Sequence, residues 1–295
     1  MPISIGIPFY NAEAFLADAI RSVFAQSYQD WELILVDDGS TDGSLEIARS
    51  VRDPRVRVIS DGTNKRLPYR LNQITAEARY PLIGRMDADD LISPTRFEKQ
   101  VRILDEHPEL DLVTTGVCSV TNDRRPVGVR CGSPDDEITG RGLLTCRCAV
   151  VHAAMLGRRA WFQRNPYDPA ANRAEDYELW LRAFSKNDFK LHILNEPLYY
   201  YREEENITPK RLIASYRSQR GLYRRYAFLG LSRGEVAVML LKSLGKSLTI
   251  RLLAACGRLD LLLERRNSPI EDVNLVSHFD REIQQVLATR VPGLD

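Results

Sequence analysis

The sequence predicts an α/β protein with a mostly parallel central sheet, helices on both faces and a C-terminal helical extension. In the first 120 residues, short apolar runs alternate with segments whose apolar residues recur at the helical period. Repeated β–α units of this length form parallel sheets covered by helices. After residue 208 the pattern changes, and almost all of 211–266 is expected to be helical.

The elements of the first 120 residues follow from these two patterns. Runs rich in β-branched residues predict strands at 3–9, 31–36, 56–59, 81–86 and 111–120. Apolar residues at the helical spacing predict helices at 12–26, 44–51, 67–78 and 93–106. Ser93 and Pro94 are a suitable N-cap and first-turn pair for the last helix, and Pro108 follows its end.

Local signals after residue 120 are weaker. A polar stretch at 121–132 containing Pro126 and Gly128 predicts a hairpin or a loop. Helices are expected at 135–144 and from Glu175 onward. Strands are expected at 148–156, 189–194 and 198–201.

The C-terminal part differs from the rest in charge. The chain has a formal net charge of +1, but residues 210–266 carry 13 Lys and Arg against 3 Asp and Glu. The same segment has an apolar stripe at helical spacing, formed by Leu241, Leu244, Leu248, Leu252, Ala255, Leu259 and Leu262. We therefore expect an α/β domain at 1–208 and a mainly helical, basic amphipathic region at 209–295.

Three interpretations of the basic region remain open. Its stripe could pack on the α/β domain, with the arginines in solvent. It could instead meet an anionic membrane surface, or form an interface with a partner or a second copy. Nucleic-acid binding is not expected, because the basic stretch lacks interleaved aromatic residues.

Composition and leader signals favour a cytoplasmic protein. With 44% hydrophobic and 27% charged residues, the chain has an ordinary globular composition. No signal peptide is expected, and no run of 18 apolar residues predicts a spanning helix. The five cysteines are odd in number and scattered, which suits a reducing compartment.

Three carboxylates, Asp87, Asp89 and Asp90, directly follow the strand at 81–86. Because like charges this close repel, they favour a divalent cation with oxygen ligands. The alternative is a solvated acidic turn. Ligands bind at the carboxyl ends of parallel strands, and polar clusters also follow the strands at 3–9 and 31–36. This convergence favours a binding site.

These motifs resemble those of the family 2 glycosyltransferases. The resemblance rests on residues 4–11 (SIGIPFYN), 31–42 (WELILVDDGSTD) and 85–90 (RMDADD), and it covers roughly 1–208. It implies a GT-A fold, which is Rossmann-like, and inverting transfer from a nucleotide-sugar. Glu175 and Asp176 are similar to the family's E-D pair at the start of the acceptor-side helix.

The resemblance implies roles for the principal site residues. Pro8, Tyr10 and Asp38 would surround the nucleotide base, Asp87 would hold the ribose, and Asp89 would hold the diphosphate through Mn²⁺ or Mg²⁺. Asp176 would be the general base that takes the acceptor proton. Tyr10 could instead be a core aromatic residue, Asp38 could cap a turn, and Asp176 could be an ordinary carboxylate at a helix N-terminus.

Five further residues receive secondary roles. Asp90 would support the metal site or cap a helix. His152 would contact the diphosphate, complete the metal site or be a structural histidine. Glu175 accompanies the base. Arg66 stands where relatives usually have glycine, and it would neutralise donor phosphate or face solvent. Arg202 would reach the leaving group.

We therefore expect an inverting, metal-dependent transferase that moves a single sugar, because the Q-x-x-R-W motif of processive members is absent. The expected donor is a nucleotide-sugar, with a UDP-sugar favoured. The expected acceptor is a glycan or a lipid-linked oligosaccharide, reached in the cytoplasm or at the inner face of the plasma membrane. The alternatives are an inactive nucleotide-sugar-binding or membrane-docked scaffold and, less favoured, a sugar-phosphate nucleotidyltransferase.

Overall fold

The computed structural model describes residues 1–132, 137–148, 150–171, 173–202, 208–258, 270 and 272–294. The strands are β1 (Ile3–Phe9), β2 (Trp31–Asp37), β3 (Val56–Ser60), β4 (Leu82–Arg85), β5 (Leu91–Ile92), β6 (Leu112–Val120), β7 (Pro126–Arg130), β8 (Leu156–Arg158) and β9 (Leu191–Arg202). The helices are α1 (Leu16–Phe24), α2 (Ser44–Ser50), α3 (Leu67–Glu77), α4 (Arg96–Glu106), α5 (Gly140–Leu144), α6 (Arg159–Arg164), α7 (Glu175–Ser185), α8 (Pro209–Arg225), α9 (Arg233–Ala255) and α10 (Val273–Leu287).

All nine strands belong to one sheet, in the order β3-β2-β1-β4-β8-β6-β9-β5, with β7 paired to β6. The first four are parallel, as are β6 and β9, so parallel ladders make up the larger part of the sheet. Antiparallel pairing begins at β8. The predicted mostly parallel α/β architecture is confirmed.

In the parallel half, β1, β2 and β4 are buried on both faces, which explains their nearly continuous apolar sequences, while the edge strand β3 is half-buried. Alternate residues of each strand point to opposite faces. Thus Leu33 and Leu35 pack into the core layer beneath α1, while Ile34 and Val36 pack into the layer that contains α3 and α6. Phe9 lies opposite Asp37 in the register of β1 and β2, so the polar residues that follow both strands leave the sheet at one edge.

The predicted start of the helix at 93–106 is wrong, because α4 begins at Arg96. Leu91 and Ile92 instead form β5, which pairs with β9. The Ser93 N–H then donates to the Leu198 carbonyl at 3.0 Å. These long-range hydrogen bonds hold the chain extended through residue 93, and Ser93 and Pro94 do not begin the helix.

Two further strand predictions also differ from the structure. The strand expected at 148–156 is limited to β8 at its far end; Ala149 lies outside the described residues. The two strands expected at 189–194 and 198–201 are one strand, β9. Its register against β6 shifts between Thr115 and Val117, so the turn-like sequence at 195–197 is an irregularity within a continuous strand.

The C-terminal region contains three described helices. α8 and α9 pack against each other, and Arg220 donates to the hydroxyls of Ser243 and Ser247 at 3.2 and 3.3 Å. α10 returns to the sheet, where the Tyr200 hydroxyl donates to Glu282. Parts of the predicted helices at 135–144 and 211–266 lie outside the described residues, as do Leu259 and Leu262. The division at residue 208 stays a prediction.

Among the described helices, none has the length and apolar character needed to cross a bilayer.

Candidate active site

The acidic cluster lies where the sheet changes from parallel to antiparallel pairing. β4 ends at Arg85, and one carboxylate oxygen from each of Asp87, Asp89 and Asp90 lies within 4.8 Å of the others. β4 pairs with β1 on one side and with β8 on the other. The cluster therefore occupies the edge where ligands of α/β sheets bind.

The three carboxylates have different surroundings. Asp90 is buried and accepts hydrogen bonds from the Tyr199 hydroxyl and the Arg202 N–H, both at 2.8 Å. Burial, followed by the neighbouring charges of Asp89 and Asp87, raises the pKa of Asp90 well above its usual value. Asp87 and Asp89 are half-buried. Two accessible carboxylates beside a third fit a hard divalent cation, which prefers oxygen ligands.

Tyr199 links this cluster to the other half of the sheet. Its hydroxyl donates to Asp90 and also accepts the Asp87 N–H at 3.1 Å. The ring is fully buried. Because one hydroxyl bonds to both ends of the acidic turn, β9 fixes the conformation of that turn. The sequence prediction assigned no role to Tyr199, and only its place in an aromatic run could have drawn attention to it.

Arg85 places a buried positive charge beside the acidic turn. Its guanidinium is almost fully buried and donates to Asp87 at 2.6 Å. Its Nε has no hydrogen-bond partner among the described residues. The pKa of Asp176 is raised by burial, and the nearby charge of Arg85 opposes that rise. Arg85 is therefore bonded to the acidic turn, and its charge also acts on the carboxyl of Asp176, although the sequence motif alone gave it no role.

Glu175 and Asp176 form the first turn of α7, as predicted. Both are half-buried, and burial raises the pKa of each carboxyl. The negative charge of Asp176 raises the pKa of Glu175 further. The Tyr177 N–H donates to Asp176 at 2.7 Å. Both acids line a cavity of about 470 Å³ together with residues of α8.

His152 is bonded to a tyrosine and packed against an aromatic ring, and it does not belong to the group of three carboxylates. Its Nε2 is 2.8 Å from the Tyr167 hydroxyl, and its ring packs edge-on against Trp180. Burial, followed by the charge of Arg85, lowers the pKa of His152 well below its usual value. The imidazole is therefore neutral at pH 7, with one nitrogen already hydrogen-bonded.

Asp38 is held by a buried arginine that the sequence prediction missed. Its carboxylate accepts hydrogen bonds from the N–H groups of Lys65 and Arg66 at 2.7 and 3.1 Å, and from Arg70 Nε at 2.8 Å. Arg70 is fully buried and also pairs with Asp61 at 2.7 Å. Asp38 thus holds the loop before α3 against the end of β2.

Pro8 and Tyr10 line a second cavity, of about 330 Å³, together with Asp87 and Asp89. Tyr10 is 50% exposed, so the predicted alternative of a core aromatic residue is wrong. An exposed ring beside a carboxylate turn can stack on a planar ligand. A third cavity, of about 750 Å³, adjoins the other two and shares Tyr10 and Glu175 with them.

The two secondary arginines lie in different surroundings. Arg66 is exposed and lines the third cavity, and its backbone has φ 71° and ψ 161°, a conformation that glycine adopts far more readily. Arg202 is buried, pairs with Asp18 at 3.2 Å and stacks on Phe15.

A further arginine, Arg211 in the first turn of α8, lines all three cavities and was not predicted.

Comparisons with known proteins agree with this arrangement. Residues 4–164, more than half of the chain, match the family described as Glycosyl transferase family 2. The chain is 36% identical to the putative glycosyltransferase EpsE of Bacillus subtilis, over 71% of this chain and 76% of that protein. It is 27% identical to the O-antigen biosynthesis glycosyltransferase WbnJ of Escherichia coli, over 72% and 84%.

Solved structures share the fold. S. aureus TarS 1–349 in complex with UDP superposes with a TM-score of 0.60 at 21% identity, covering 83% of this chain and 71% of that one. Mannosyltransferase PcManGT from Pyrobaculum calidifontis, in complex with GDP-Man and Mn²⁺, gives 0.59 at 14% identity, covering 97% and 85%. Since the motifs, the sheet that gathers them and the matched residues agree, this chain is a GT-A-fold protein that belongs to glycosyl transferase family 2.

Proposed function

We propose that this protein transfers one sugar from a nucleoside-diphosphate sugar to a hydroxyl group of a glycan or lipid-linked oligosaccharide, with inversion at the anomeric carbon, in the synthesis of a polysaccharide or glycoconjugate. The observation that carries the proposal is that the acidic turn and the start of α7 face neighbouring cavities. Asp87 and Asp89 line one cavity. Glu175 and Asp176 line another, and Arg211 lines both.

The donor would occupy the cavity lined by Tyr10, Asp87 and Asp89. Tyr10 would stack on the base, and Asp38 would accept a hydrogen bond from it. Structural neighbours in complex with UDP, UDP-GlcNAc or GDP-Man support a nucleotide-sugar donor, and we favour UDP as its nucleotide.

Asp87 would hold the ribose, and Asp89 would hold Mn²⁺ or Mg²⁺; the cluster of three carboxylates and the Mn²⁺ in one structural neighbour support a cation here. When bound, the cation would stabilise the charge that develops on the diphosphate. Asp90 would support the cation site from its buried side, through its hydrogen bonds to Tyr199 and the Arg202 backbone.

Asp176 would act as the general base. It would remove the proton of the acceptor hydroxyl while that oxygen forms a bond to the anomeric carbon. The bond between this carbon and the diphosphate oxygen breaks, and its electron pair leaves with the nucleoside diphosphate. Burial raises the pKa of Asp176, which makes the carboxylate a stronger base. We propose that the reaction takes place in the cytoplasm.

The first test is a thermal-shift panel with UDP, GDP, dTDP and CMP, each with Mn²⁺ and with EDTA. A ligand at 100 times its Kd adds about 2.7 kcal/mol of stability, which is about 4 °C for a chain of this size. A shift with one nucleotide that EDTA removes supports the donor site. No shift with any nucleotide would contradict the proposal and favour an inactive scaffold.

The base is tested with Asp176→Asn. We expect unchanged nucleotide binding and a transfer rate lower by about 10²–10⁴-fold, because the general base is lost. The control is Asp280→Asn, on the exposed side of α10, which should transfer normally. Native activity should fall as the pH drops through the raised pKa of Asp176, since only the deprotonated carboxylate accepts a proton. Equal loss of binding and transfer would disprove this role.

A further inference from the structure

The outer face of α9 exposes a row of large apolar side chains. Val238, Leu241, Leu244, Leu248 and Leu252 are between 48% and 68% exposed. Their spacing puts them on one side of the helix. The opposite side, with Ser243, Ser247 and Ile250, is buried against α8. We call the exposed row the α9 face. Its side chains are exposed and do not pack on the described part of the α/β domain, so that interpretation of the stripe is wrong for these residues.

Cations flank the α9 face on both sides. At 100° per residue, Lys242 and Lys246 lie along one edge and Arg233 and Arg251 along the other. All four are exposed. The one carboxylate in α9, Glu235, accepts a hydrogen bond from Arg141. These four cations have no ion-pair partner among the residues that the structure describes. A row of leucines between two edges of such positive charge matches a helix that lies in the interface of an anionic bilayer.

We propose that the α9 face docks on a membrane that contains anionic lipids. The leucines would enter the boundary between head groups and acyl chains, and the lysines and arginines would contact lipid phosphates. Charge complementarity favours lipid over a second copy of the chain, because two α9 faces in contact would bring their cationic edges together. The net excess of ten positive charges in residues 210–266 also favours an anionic lipid surface over a second copy of the chain.

The position of α8 connects this surface to the site. α8 binds α9 through Arg220, while its Arg211, Leu212 and Ser215 line the cavity that contains Glu175 and Asp176. The cavity is therefore one helix away from the proposed membrane surface. This part of the inference rests on the proposed function: a sugar acceptor anchored to a lipid would reach the cavity from the bilayer, which makes a lipid-linked acceptor the favoured class.

The test is co-sedimentation of the full chain with vesicles of phosphatidylcholine and phosphatidylglycerol, with pure phosphatidylcholine vesicles for comparison. We expect binding to the anionic vesicles that weakens with salt. The pair Leu241→Gln and Leu248→Gln should lower the affinity roughly 30-fold, and the pair Lys242→Gln and Lys246→Gln roughly 20-fold.

The matched control is the pair Val127→Gln and Val273→Gln, which changes exposed apolar residues outside the α9 face and should bind like the native chain. The nucleotide-induced thermal shift of each variant reports on its fold and on the donor site. For the native chain, an intact shift without binding to anionic vesicles overturns this inference and leaves the proposed function standing, whereas the same result for the leucine or lysine pair supports the inference. Failure of the native chain to bind anionic vesicles at low salt overturns the inference. It is also overturned if the double substitution of Leu241 and Leu248 dissociates a dimer of the native chain and leaves vesicle binding unchanged.

Discussion

Arg66 combines an unfavourable backbone conformation with a side chain at the edge of the site. Its φ of 71° and ψ of 161° lie in a region populated almost entirely by glycine, and a residue with a Cβ pays about 1–3 kcal/mol there. Arg66→Gly removes this cost but adds about 0.5–1 kcal/mol of unfolded-state entropy. We expect a net gain of about 1 kcal/mol, or about 2 °C in Tm for 295 residues.

Two variants separate the backbone effect from the side-chain effect. Arg66→Ala removes the guanidinium but keeps the Cβ, so its Tm should stay near that of the native protein. Gly62→Ala tests the opposite change, since Gly62 has φ 69° and an added Cβ would meet no atom within 4 Å. Its cost is therefore that of the backbone alone, about 1 kcal/mol.

Measurements of nucleotide affinity test whether the strained backbone at Arg66 is retained because its side chain binds the nucleotide. The Arg66 side chain lines the cavity of about 750 Å³, and an exposed cation near a diphosphate contributes about 1 kcal/mol. Arg66→Gly and Arg66→Ala should both bind the nucleotide about fivefold more weakly than the native chain in isothermal titration. If Arg66→Gly is no more stable than Arg66→Ala, the strain argument is refuted. If both bind like the native chain, Arg66 only faces solvent.

Two further predictions concern buried polar contacts. Tyr199→Phe leaves Asp90 without its hydroxyl donor and should lower the free energy of unfolding by about 1–3 kcal/mol while weakening the Mn²⁺ response; an unchanged denaturation midpoint would contradict this. Arg70→Met leaves the Asp38 carboxylate without its buried guanidinium and should cost about 3 kcal/mol in urea unfolding. The control is Lys65→Met, which removes an exposed partner of Asp61 and should hardly change the free energy of unfolding. If both variants lose the same free energy, the argument from burial is refuted.

Local patterns predicted the parallel half of the sheet well, because its central strands β1, β2 and β4 are buried on both faces and the helices have one apolar side. The strand ends also correctly located the acidic turn and the polar residues near it. The errors occurred where distant hydrogen bonds replaced local preference. Ser93 and Pro94 form a good helix start in isolation, but hydrogen bonds to β9 keep the chain extended through Ser93, and a turn at 94–95 precedes the helix.

The residues of the candidate site also fall into two groups, those that a local motif predicted and those that only long-range packing brings to the site. Motif spacing identified Asp87, Asp89 and Asp176 as site candidates. It gave no role to Tyr199, which bonds to Asp90 across 109 positions of the chain, or to Arg70, which bonds to Asp38 across 32. Such partners are chosen by the packing of separate elements, so no local pattern contains them.

The sequence by itself determined the alternation of strands and helices, the family motifs and the basic, amphipathic character of 210–266, because these depend on residue type and spacing. Only the tertiary structure decided that the Arg85 guanidinium is buried and bonded to Asp87 of the acidic turn. It alone decided that the leucines of α9 face outward. A helical period specifies which residues share a face, but what covers that face depends on how the whole chain packs.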